Sequence, residues 1–390
     1  MIIVGQLLGV GYIIGQKMNN MTLRFIKAQC VLVIILGFLS CRAEAKRQPP
    51  LVWDMEYLEQ IRNNYRTNED AQSIIRYADK YCDAKPFAVT EDKHLSLGPN
   101  EHYLSSMGPY RWKDPKNPGK YIIKDGEFNP DWKYYDSGKL NEMVTRCMNF
   151  SKAYYITREE KYYNAFIKQI RAWFINKETF MEPNFEFSQF DPTQEVFKSN
   201  STGMIDAYVF INLTESIYLV NKVKKIDRKT MRAMKKWMRR FAEWSDNQYT
   251  SYFDKVNNNI SLAFDVTLAD LYLFAGESSK AKKIIDEFAE KRLSRQIKED
   301  GSQPAELSRT RAYYYSLYNL SHITDFCALA RYWYPDYYQN HSERIEKAFA
   351  YLQKFADEPS TFPYQQITDW DSCIQTFNEL KQKRNKLIKR

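Results

Sequence analysis

The stretch that decides the fold reads Ile205-Asp-Ala-Tyr-Val-Phe-Ile-Asn-Leu-Thr-Glu-Ser-Ile-Tyr-Leu-Val-Asn-Lys-Val223. Its apolar residues recur at intervals of three and four, which places them on one face of an α-helix. Similar segments follow one another along most of the chain, whereas the alternation typical of β-strands is nearly absent. The pattern therefore predicts an all-α protein, with helices at 55–82, 139–155, 161–173, 205–223, 228–244, 260–273, 279–293, 313–333 and 344–355.

The predicted helices form successive pairs that are joined by short turns. Paired helices over roughly 300 residues are typical of an α/α toroid or of a large helical array. Three long loops, rich in aromatic residues, interrupt the helices at 95–138, 175–204 and 245–259. Loops of this length inside a compact domain usually carry function, so we expect them to form a cleft.

Composition and charge narrow the range of partners. The chain has 390 residues, of which 44% are hydrophobic, enough for one sizeable core, which we place at 46–365. The formal net charge is +9, but residues 1–46 carry +4 and residues 381–390 carry +6, so the rest carries −1. Overall basicity therefore predicts no nucleic-acid partner, and an anionic ligand must be met by a local cluster. Residues 366–390 are predicted to form an extension with a basic tail.

Residues 1–45 are typical of a targeting segment. Arg24 and Lys27 precede an apolar run at 31–39 that is too short to span a membrane comfortably. The segment could end in either of two ways. It could be cleaved at the small-residue site Ala43-Glu-Ala45, or it could end in the loose lipobox Phe38-Leu-Ser-Cys41, in which Cys41 would carry a lipid anchor. Both predict export, to a secreted or periplasmic location in the first case and as a membrane-anchored lipoprotein in the second.

The remaining cysteines and the histidines show no metal-binding pattern. Cys82, Cys147, Cys327 and Cys373 are widely spaced and contain no Cys-x-x-Cys pair. The four histidines form no His-x-x-x-His motif. The sequence therefore predicts neither a metal site nor a cofactor.

A second informative stretch combines two arginines with a tyrosine. It reads Asp300-Gly-Ser-Gln-Pro-Ala-Glu-Leu-Ser-Arg309-Thr-Arg311-Ala-Tyr-Tyr-Tyr315. Arg311 and Tyr315 are four residues apart, so in a helix they share one face. An arginine beside a tyrosine can lower the pKa of the phenol and bind an anionic group. A buried cluster of arginine and tyrosine hydrogen bonds would explain the same spacing.

The long loops carry aromatic and amide side chains suited to sugars. Tyr110 and Trp112 could stack on pyranose rings or anchor the first loop to the core. Asp206 stands at a predicted helix start, where we expect it to act as an N-cap. The run Asn257-Asn258-Asn259 also precedes a helix. Its amides could cap that helix, or could stabilise the charge that develops on a carboxylate during removal of its α proton.

These segments together resemble the alginate-lyase-domain superfamily of polysaccharide lyases, over roughly residues 90–355. The resemblance implies an incomplete α/α toroid that cleaves an anionic, uronate-containing polysaccharide, such as mannuronan or a glucuronan-like polymer, by metal-independent β-elimination. The matching stretches are Gly108-Pro-Tyr110-x-Trp112-x-Asp-Pro115, Asp125-Gly-Glu-x-Asn-Pro130, Arg171-Ala-Trp-Phe174, Pro183-Asn184-x-x-x-x-Gln189, Gly203-x-Ile-Asp206, Asn257-Asn258, and the run from Asp300 to Leu320.

The resemblance also implies roles for individual residues. Tyr315 would abstract the proton at C5, protonate the leaving O4, or do both. Asn258 would neutralise the substrate carboxylate, and Arg309, less directly Arg311, would assist. The side chains implied to bind sugar are those of Asn184, Gln189, Tyr110, Trp112 and Asn259.

One departure from the family pattern divides the functional hypotheses. The family's Asn-Asn-His-Gly run reads Asn257-Asn258-Asn259-Ile260 here, so Asn259 stands in the position of the catalytic histidine. Either Tyr315 serves as both base and acid, which suits β-mannuronate or glucuronate, or the domain only binds glycans. His102 or His322 could also replace the lost group. A glycoside hydrolase on this fold is a further alternative and needs two carboxylates, with candidates Glu127, Glu186, Asp206 and Glu306.

Overall fold

Eleven α-helices of nine residues or more build the part of the chain that the structure, a computed structural model, describes, namely residues 49–193 and 201–389. They are α1 Met55–Asn63, α2 Glu69–Tyr81, α3 Asp136–Thr157, α4 Glu160–Phe174, α5 Phe210–Val223, α6 Arg228–Phe253, α7 Asn259–Ala275, α8 Ser278–Phe288, α9 Ala312–Ala330, α10 Ser342–Asp357 and α11 Trp370–Ile388. The predicted targeting segment and Cys41 lie outside the described residues. None of the described helices is long and apolar enough to cross a membrane.

The long helices differ in how much of their surface is buried. Helices α7 and α9 are buried on nearly every side, and such all-round apolar helices belong in the interior. Helices α6, α8 and α10 instead bury one face and expose the other. Helix α7 packs against α5, α6, α8 and α9. The predicted all-α fold of paired helices is confirmed, and the fold is that of an α/α toroid.

Helix boundaries follow local capping chemistry. The Oδ1 atom of Asn258 accepts from the backbone amides of Ile260 and Ser261, so helix α7 begins at Asn259. The helix ends before Gly276, whose φ of +92° lies in the left-handed region that favours glycine. The segment predicted as one helix at 55–82 forms two helices, because the side chain of Asn68 caps the N-terminal end of α2.

One other sequence expectation was wrong, and a few short strands accompany the helices. Most of the predicted loop 245–259 is helical, because Tyr249 and Phe253 continue the buried face of α6 as far as its last turn. The structure also contains four short strands, β1 Ser105–Met107, β2 Arg111–Lys113, β3 Tyr121–Ile123 and β4 Phe187–Phe190. Strand β1 pairs with β4 in parallel, and β2 pairs with β3 in antiparallel orientation. The parallel pair joins the loop 95–138 to the loop 175–204.

The C-terminal extension packs on the helical body. Helix α11 lies against α9 and buries Cys373, Phe377, Leu380 and Leu387. Its basic residues are partly engaged, since Lys383 forms an ion pair with Asp325 on α9. The four cysteines within the described residues are free thiols.

We predict that Gly301→Ala is strongly destabilising. Gly301 has a φ of +86°, and a Cβ atom there would lie 2.1 Å from the carbonyl oxygen of Lys347. Left-handed strain and the collision together should lower the free energy of unfolding by about 2–5 kcal/mol. Gly119→Ala is the matched control, because its φ of +83° is similar but no atom lies within 4 Å of the added Cβ. Urea unfolding should show a smaller loss for it, about 1–2 kcal/mol. Equal losses would contradict the role given to the contact with Lys347.

Candidate active site

A cleft of about 620 Å³ lies where the loops 95–138 and 175–204 meet the N-terminal ends of helices α7 and α9. Of the nine residues predicted to form the site, six line this cleft: Tyr110, Gln189, Asn258, Asn259, Arg309 and Tyr315. The other three, Trp112, Asn184 and Arg311, do not line it. The fold thus brings six of the nine predicted residues together from four segments that are distant in sequence.

Tyr315 and Arg309 form the centre of the cleft. Tyr315 lies in the first turn of α9 and is 5% exposed. The guanidinium carbon of Arg309 lies 4.0 Å from the centroid of the Tyr315 ring, within the range of a cation–π contact. The arginine beside the catalytic candidate is therefore Arg309, not Arg311.

Asp125 holds Arg309 in this position. The Asp125 carboxylate accepts from Arg309 Nη2 at 2.5 Å and from Nε at 3.1 Å, a forked ion pair. Thr310 donates to the same carboxylate through its backbone amide and its hydroxyl. Burial alone would raise the pKa of Asp125, but Arg309 and Thr310 outweigh it and hold that pKa below its ordinary value. Asp125 belongs to the motif Asp125-Gly-Glu-x-Asn-Pro130, but no local pattern predicts that it pairs with Arg309, 184 residues further along the chain.

The hydroxyls of Tyr315 and Tyr110 are hydrogen-bonded to each other. Burial, followed by the neighbouring Tyr110 hydroxyl, raises the pKa of Tyr315 above its ordinary value, and Arg309 only partly opposes this rise. Burial also raises the pKa of Tyr110. The charge of Arg309 acts to lower the pKa of Tyr315, but burial and Tyr110 outweigh it. The free cleft holds two neutral phenols side by side.

Asn258 caps a helix and also presents a hydrogen-bond donor. Its Oδ1 atom accepts from Ile260 N at 3.1 Å and from Ser261 N at 3.3 Å. This fixes the amide plane, and Nδ2 has no hydrogen-bond partner among the described residues. Both sequence interpretations of Asn258 are therefore compatible, because the oxygen caps the helix while the nitrogen remains available at the cleft.

Asn259 is bound to a buried carboxylate. Its backbone amide donates to Glu306 Oε1 at 2.7 Å, and its Nδ2 donates to Glu306 Oε2 at 2.6 Å. Glu306 is 1% exposed, and burial raises its pKa to about 7. An amide does not titrate, so Asn259 supplies a fixed wall of the cleft and no proton-transfer group.

Gln189 and Asp206 form a buried hydrogen-bonded pair at the cleft. Gln189 Nε2 donates to Asp206 Oδ1 at 2.7 Å, and Ser137 and Ser188 donate to Oδ2 at 2.5 Å and 2.8 Å. The prediction that Asp206 acts as an N-cap was wrong, because its carboxylate binds these three side chains instead. Burial raises the pKa of Asp206.

The three predicted residues outside the cleft have other partners. Trp112 donates from Nε1 to the carbonyl of Glu127, and Lys124 Nζ covers its ring at 4.8 Å. Asn184 accepts from the backbone amide of Glu186 in a local turn. Arg311 donates to Thr368 and lies 4.0 Å from the ring centroid of Tyr314. It precedes the first residue of α9, so the helical spacing that would align it with Tyr315 does not apply.

Several aromatic side chains of the cleft were not predicted. Tyr314 and Tyr318 lie one turn apart on α9, and their rings stack with centroids 6.3 Å apart. Phe128 packs edge-on against Tyr110 at 5.4 Å. The tyrosine spacing on α9 was a readable signal, because residues four apart share a helix face. These rings suit contact with the apolar faces of sugars.

The hydrolase alternative and the substitute histidines find no geometric support. Glu127 and Glu186 are exposed and do not line the cleft, and Glu306 and Asp206 are engaged as described above. His102 is bound to the carbonyl of Phe180. His322 is fully buried beneath the cleft between Tyr208 and Tyr318, and burial lowers its pKa to about 3. The described residues include no group of three or more His, Cys, Asp and Glu side chains arranged to hold a metal.

Known proteins share this sequence pattern and this architecture. The sequence model of one family, Alginate lyase, matches residues 88–362. The structure of an alginate lyase from Bacteroides ovatus is similar with a TM-score of 0.82 and 30% identity, over 88% of this chain and 93% of that chain. Alginate lyase A1-III from Sphingomonas species A1 has a TM-score of 0.47 and 13% identity, over 74% of this chain and 78% of that chain. No curated protein matches the chain.

The raised pKa of Glu306 predicts how its substitution changes pH dependence. A carboxyl whose pKa is about 7 when folded and 4.5 when unfolded binds more protons in the folded state, so stability falls as pH rises from 4.5 to 7. This loss, on the order of 3 kcal/mol, should be absent in Glu306→Gln. Urea unfolding of both proteins at pH 5, 6, 7 and 8 tests this. A stability difference between the two proteins that stays constant with pH would contradict the prediction.

Proposed function

The chain belongs to the alginate lyase family, which makes it a polysaccharide lyase, and we propose that it cleaves a uronate-containing polysaccharide by β-elimination through Tyr315. The observation that carries the proposal is one cleft that combines a buried phenol, a cation over its ring and an unpartnered amide donor. These are the three kinds of group that the reaction needs.

In a β-elimination the proton at C5 leaves, and its electron pair forms the double bond between C4 and C5. The bond from C4 to O4 breaks, and O4 receives a proton. Negative charge grows on the C5 carboxylate before O4 leaves, so preorganised donors at that group lower the barrier. Nδ2 of Asn258 is suited to this role. The N-terminal end of α7, where Asn258 lies, adds a favourable potential for an anion.

Tyr315 is assigned the proton transfers. Its raised pKa keeps the phenol neutral in the free cleft, which suits donation of a proton to the leaving O4. To accept the C5 proton, Tyr315 must first release its own proton to solvent, and the hydroxyl of Tyr110 can then donate a hydrogen bond to the phenolate. Arg309 favours the phenolate through its charge. We assign no role in proton transfer to Asn259.

A single phenol that acts as base and acid restricts the substrate. It can reach both groups only when H5 and O4 leave from the same side of the ring, as in β-mannuronate or glucuronate. We therefore propose a mannuronan or glucuronan-like polymer as the substrate. Charge stabilisation by Asn258 and Arg309 also leads us to propose elimination without a metal ion.

We further propose that the protein is exported, either secreted into the periplasm or beyond, or held on a membrane by a lipid at Cys41. The proposal rests on the basic, apolar and small-residue order of residues 21–45.

A domain that binds glycans without cleaving them is the second candidate. It rests on the resemblance described above, in which Asn259 stands at the position of the family's catalytic histidine. The contacts among Asp125, Arg309, Tyr315 and Tyr110 favour the enzyme, because binding alone would not require a phenol beneath a fixed cation.

Tyr315→Phe should strongly slow cleavage while leaving the fold intact. Elimination creates an unsaturated uronate that absorbs ultraviolet light, so the absorbance should rise with wild type on polymannuronate or glucuronan. The variant should be slower by about 10²–10⁴-fold, the usual contribution of general acid–base catalysis. Tyr314→Phe is the matched control, because it removes a neighbouring hydroxyl of the same cleft. Equal losses in both variants would contradict the assignment. Binding without any product from wild type would favour the second candidate.

Asp125→Asn should slow the reaction by releasing Arg309. The amide removes the charge of the forked ion pair, so Arg309 loses its fixed position over the Tyr315 ring. We expect kcat to fall by roughly 10–10²-fold with a smaller change in KM, because the loss acts on the transition state. The control is Asp191→Asn, which removes the similar forked pair with Arg111 and leaves Arg309 bound. A larger fall in the control than in Asp125→Asn would contradict this reasoning.

A further inference from the structure

A second cavity of about 540 Å³ lies between the segment that precedes α1, helix α1 itself, α3, and the ends of α9 and α11. It shares no lining residue with the cleft. Most of its wall is apolar, and the rings of Trp53 and Tyr57 belong to it. Cavities of this size that combine apolar walls with a few polar groups are typical of small-molecule sites.

Lys152 is the first of two cations that face this cavity without an anionic partner. It projects from α3, and burial lowers the pKa of its ammonium group. Its Nζ atom lies 4.5 Å from the centroid of the Trp53 ring, which is held by a hydrogen bond from its Nε1 to Asn212. Lys152 makes no hydrogen bond or ion pair with any of the described residues. The indole therefore orients the ammonium without neutralising it.

Arg331 is the second such cation. It caps the C-terminal end of α9 and is 5% exposed. Its Nε atom is buried and has no hydrogen-bond partner, and Arg331 forms no ion pair within the described part of the chain. A buried guanidinium without an acceptor is unusual, because desolvation of a charged donor is expensive unless another group satisfies it.

The other charged groups around the cavity are already engaged. Lys383 forms an ion pair with Asp325, and Lys386 with Asp54. The buried carboxylate of Glu215 accepts three backbone amides, from residues 51, 52 and 53, at 2.7–2.9 Å. Glu379 also lines the cavity, but this residue is exposed, and its carboxylate accepts a hydrogen bond from Gln375 Nε2. Lys152 and Arg331 are thus left with uncompensated positive charge toward the cavity.

We propose that this second cavity is a binding site for a small organic anion, with Lys152 and Arg331 as the cations that bind its carboxylate or phosphate group. An ammonium and a guanidinium recognise oxyanions through charge-assisted hydrogen bonds. The aromatic and apolar wall then accommodates the body of the ligand, and the cavity has room for a monosaccharide. A uronate released by the proposed lyase reaction is one source of such an anion, and only this choice of ligand rests on the proposed function.

Thermal unfolding of the full chain with three probes tests the proposal. The probes are sodium glucuronate, inorganic phosphate and neutral glucose. An anion that binds the folded state should raise Tm by roughly 2–5 °C at saturating concentration, and glucose should not. A rise with glucuronate alone identifies a carboxylate sugar, and a rise with phosphate as well identifies a general oxyanion site. No rise with either anion would overturn the proposal.

Two variants locate the effect in this cavity. Lys152→Met and Arg331→Met remove one charge each and keep an unbranched apolar side chain. Because an uncompensated buried cation is lost, Tm without ligand should stay equal or rise, while the shift caused by the anion should shrink or disappear. Lys168→Met, at an exposed position of α4, is the control and should keep the full shift. A full shift in both cavity variants would refute the assignment.

The same measurement separates this site from the cleft. The shift should persist in Tyr315→Phe, which impairs proton transfer in the cleft, and should shrink or disappear in Lys152→Met, which leaves the lining of the cleft unchanged. The absorbance assay of the lyase reaction is run in parallel. A chain that shows the shift without turnover would refute the proposed function alone, and turnover without the shift would refute the second site alone.

Discussion

The forked ion pair between Asp125 and Arg309 is the contact on which the cleft depends. It joins the loop 95–138 to the residues that precede α9, two segments 184 positions apart. The approach is close enough to require Gly126, with a φ of +78°, because a Cβ atom there would lie 2.6 Å from Thr310 Oγ1. One interaction therefore closes the loop over the helical body and places a fixed cation 4.0 Å from the Tyr315 ring.

At the start of α7, the side chain of Asn258 serves both the fold and the proposed chemistry. The Asn258 oxygen begins the helix, so its nitrogen is held toward the cleft at no further entropic cost. The next residue, Asn259, is fixed by two hydrogen bonds to Glu306 and forms part of the cleft wall. In the reaction we propose, Tyr315 carries out the proton transfers. Preorganisation of this kind is the main source of electrostatic stabilisation in enzyme sites.

Sequence periodicity was sufficient for the helices that bury one continuous face, such as α10, and for the order of the elements around the cleft. It failed where a partner distant in sequence decides the outcome. Local patterns could not predict the pairing of Asp125 with Arg309. They also placed Arg311 beside Tyr315, whereas the side chain of Arg311 donates to Thr368. The raised pKa of Tyr315 depends on burial and on Tyr110, neither of which a helical spacing can show.

The central claim is that this cleft breaks glycosidic bonds by elimination and not by hydrolysis. Mass spectrometry of the products formed from polymannuronate or glucuronan in water labelled with oxygen-18 tests it most directly. Elimination takes no oxygen from water, so we predict unsaturated products without the label. Saturated products that carry one labelled oxygen for each bond broken would show hydrolysis and contradict the assignment of Tyr315, Asn258 and Arg309.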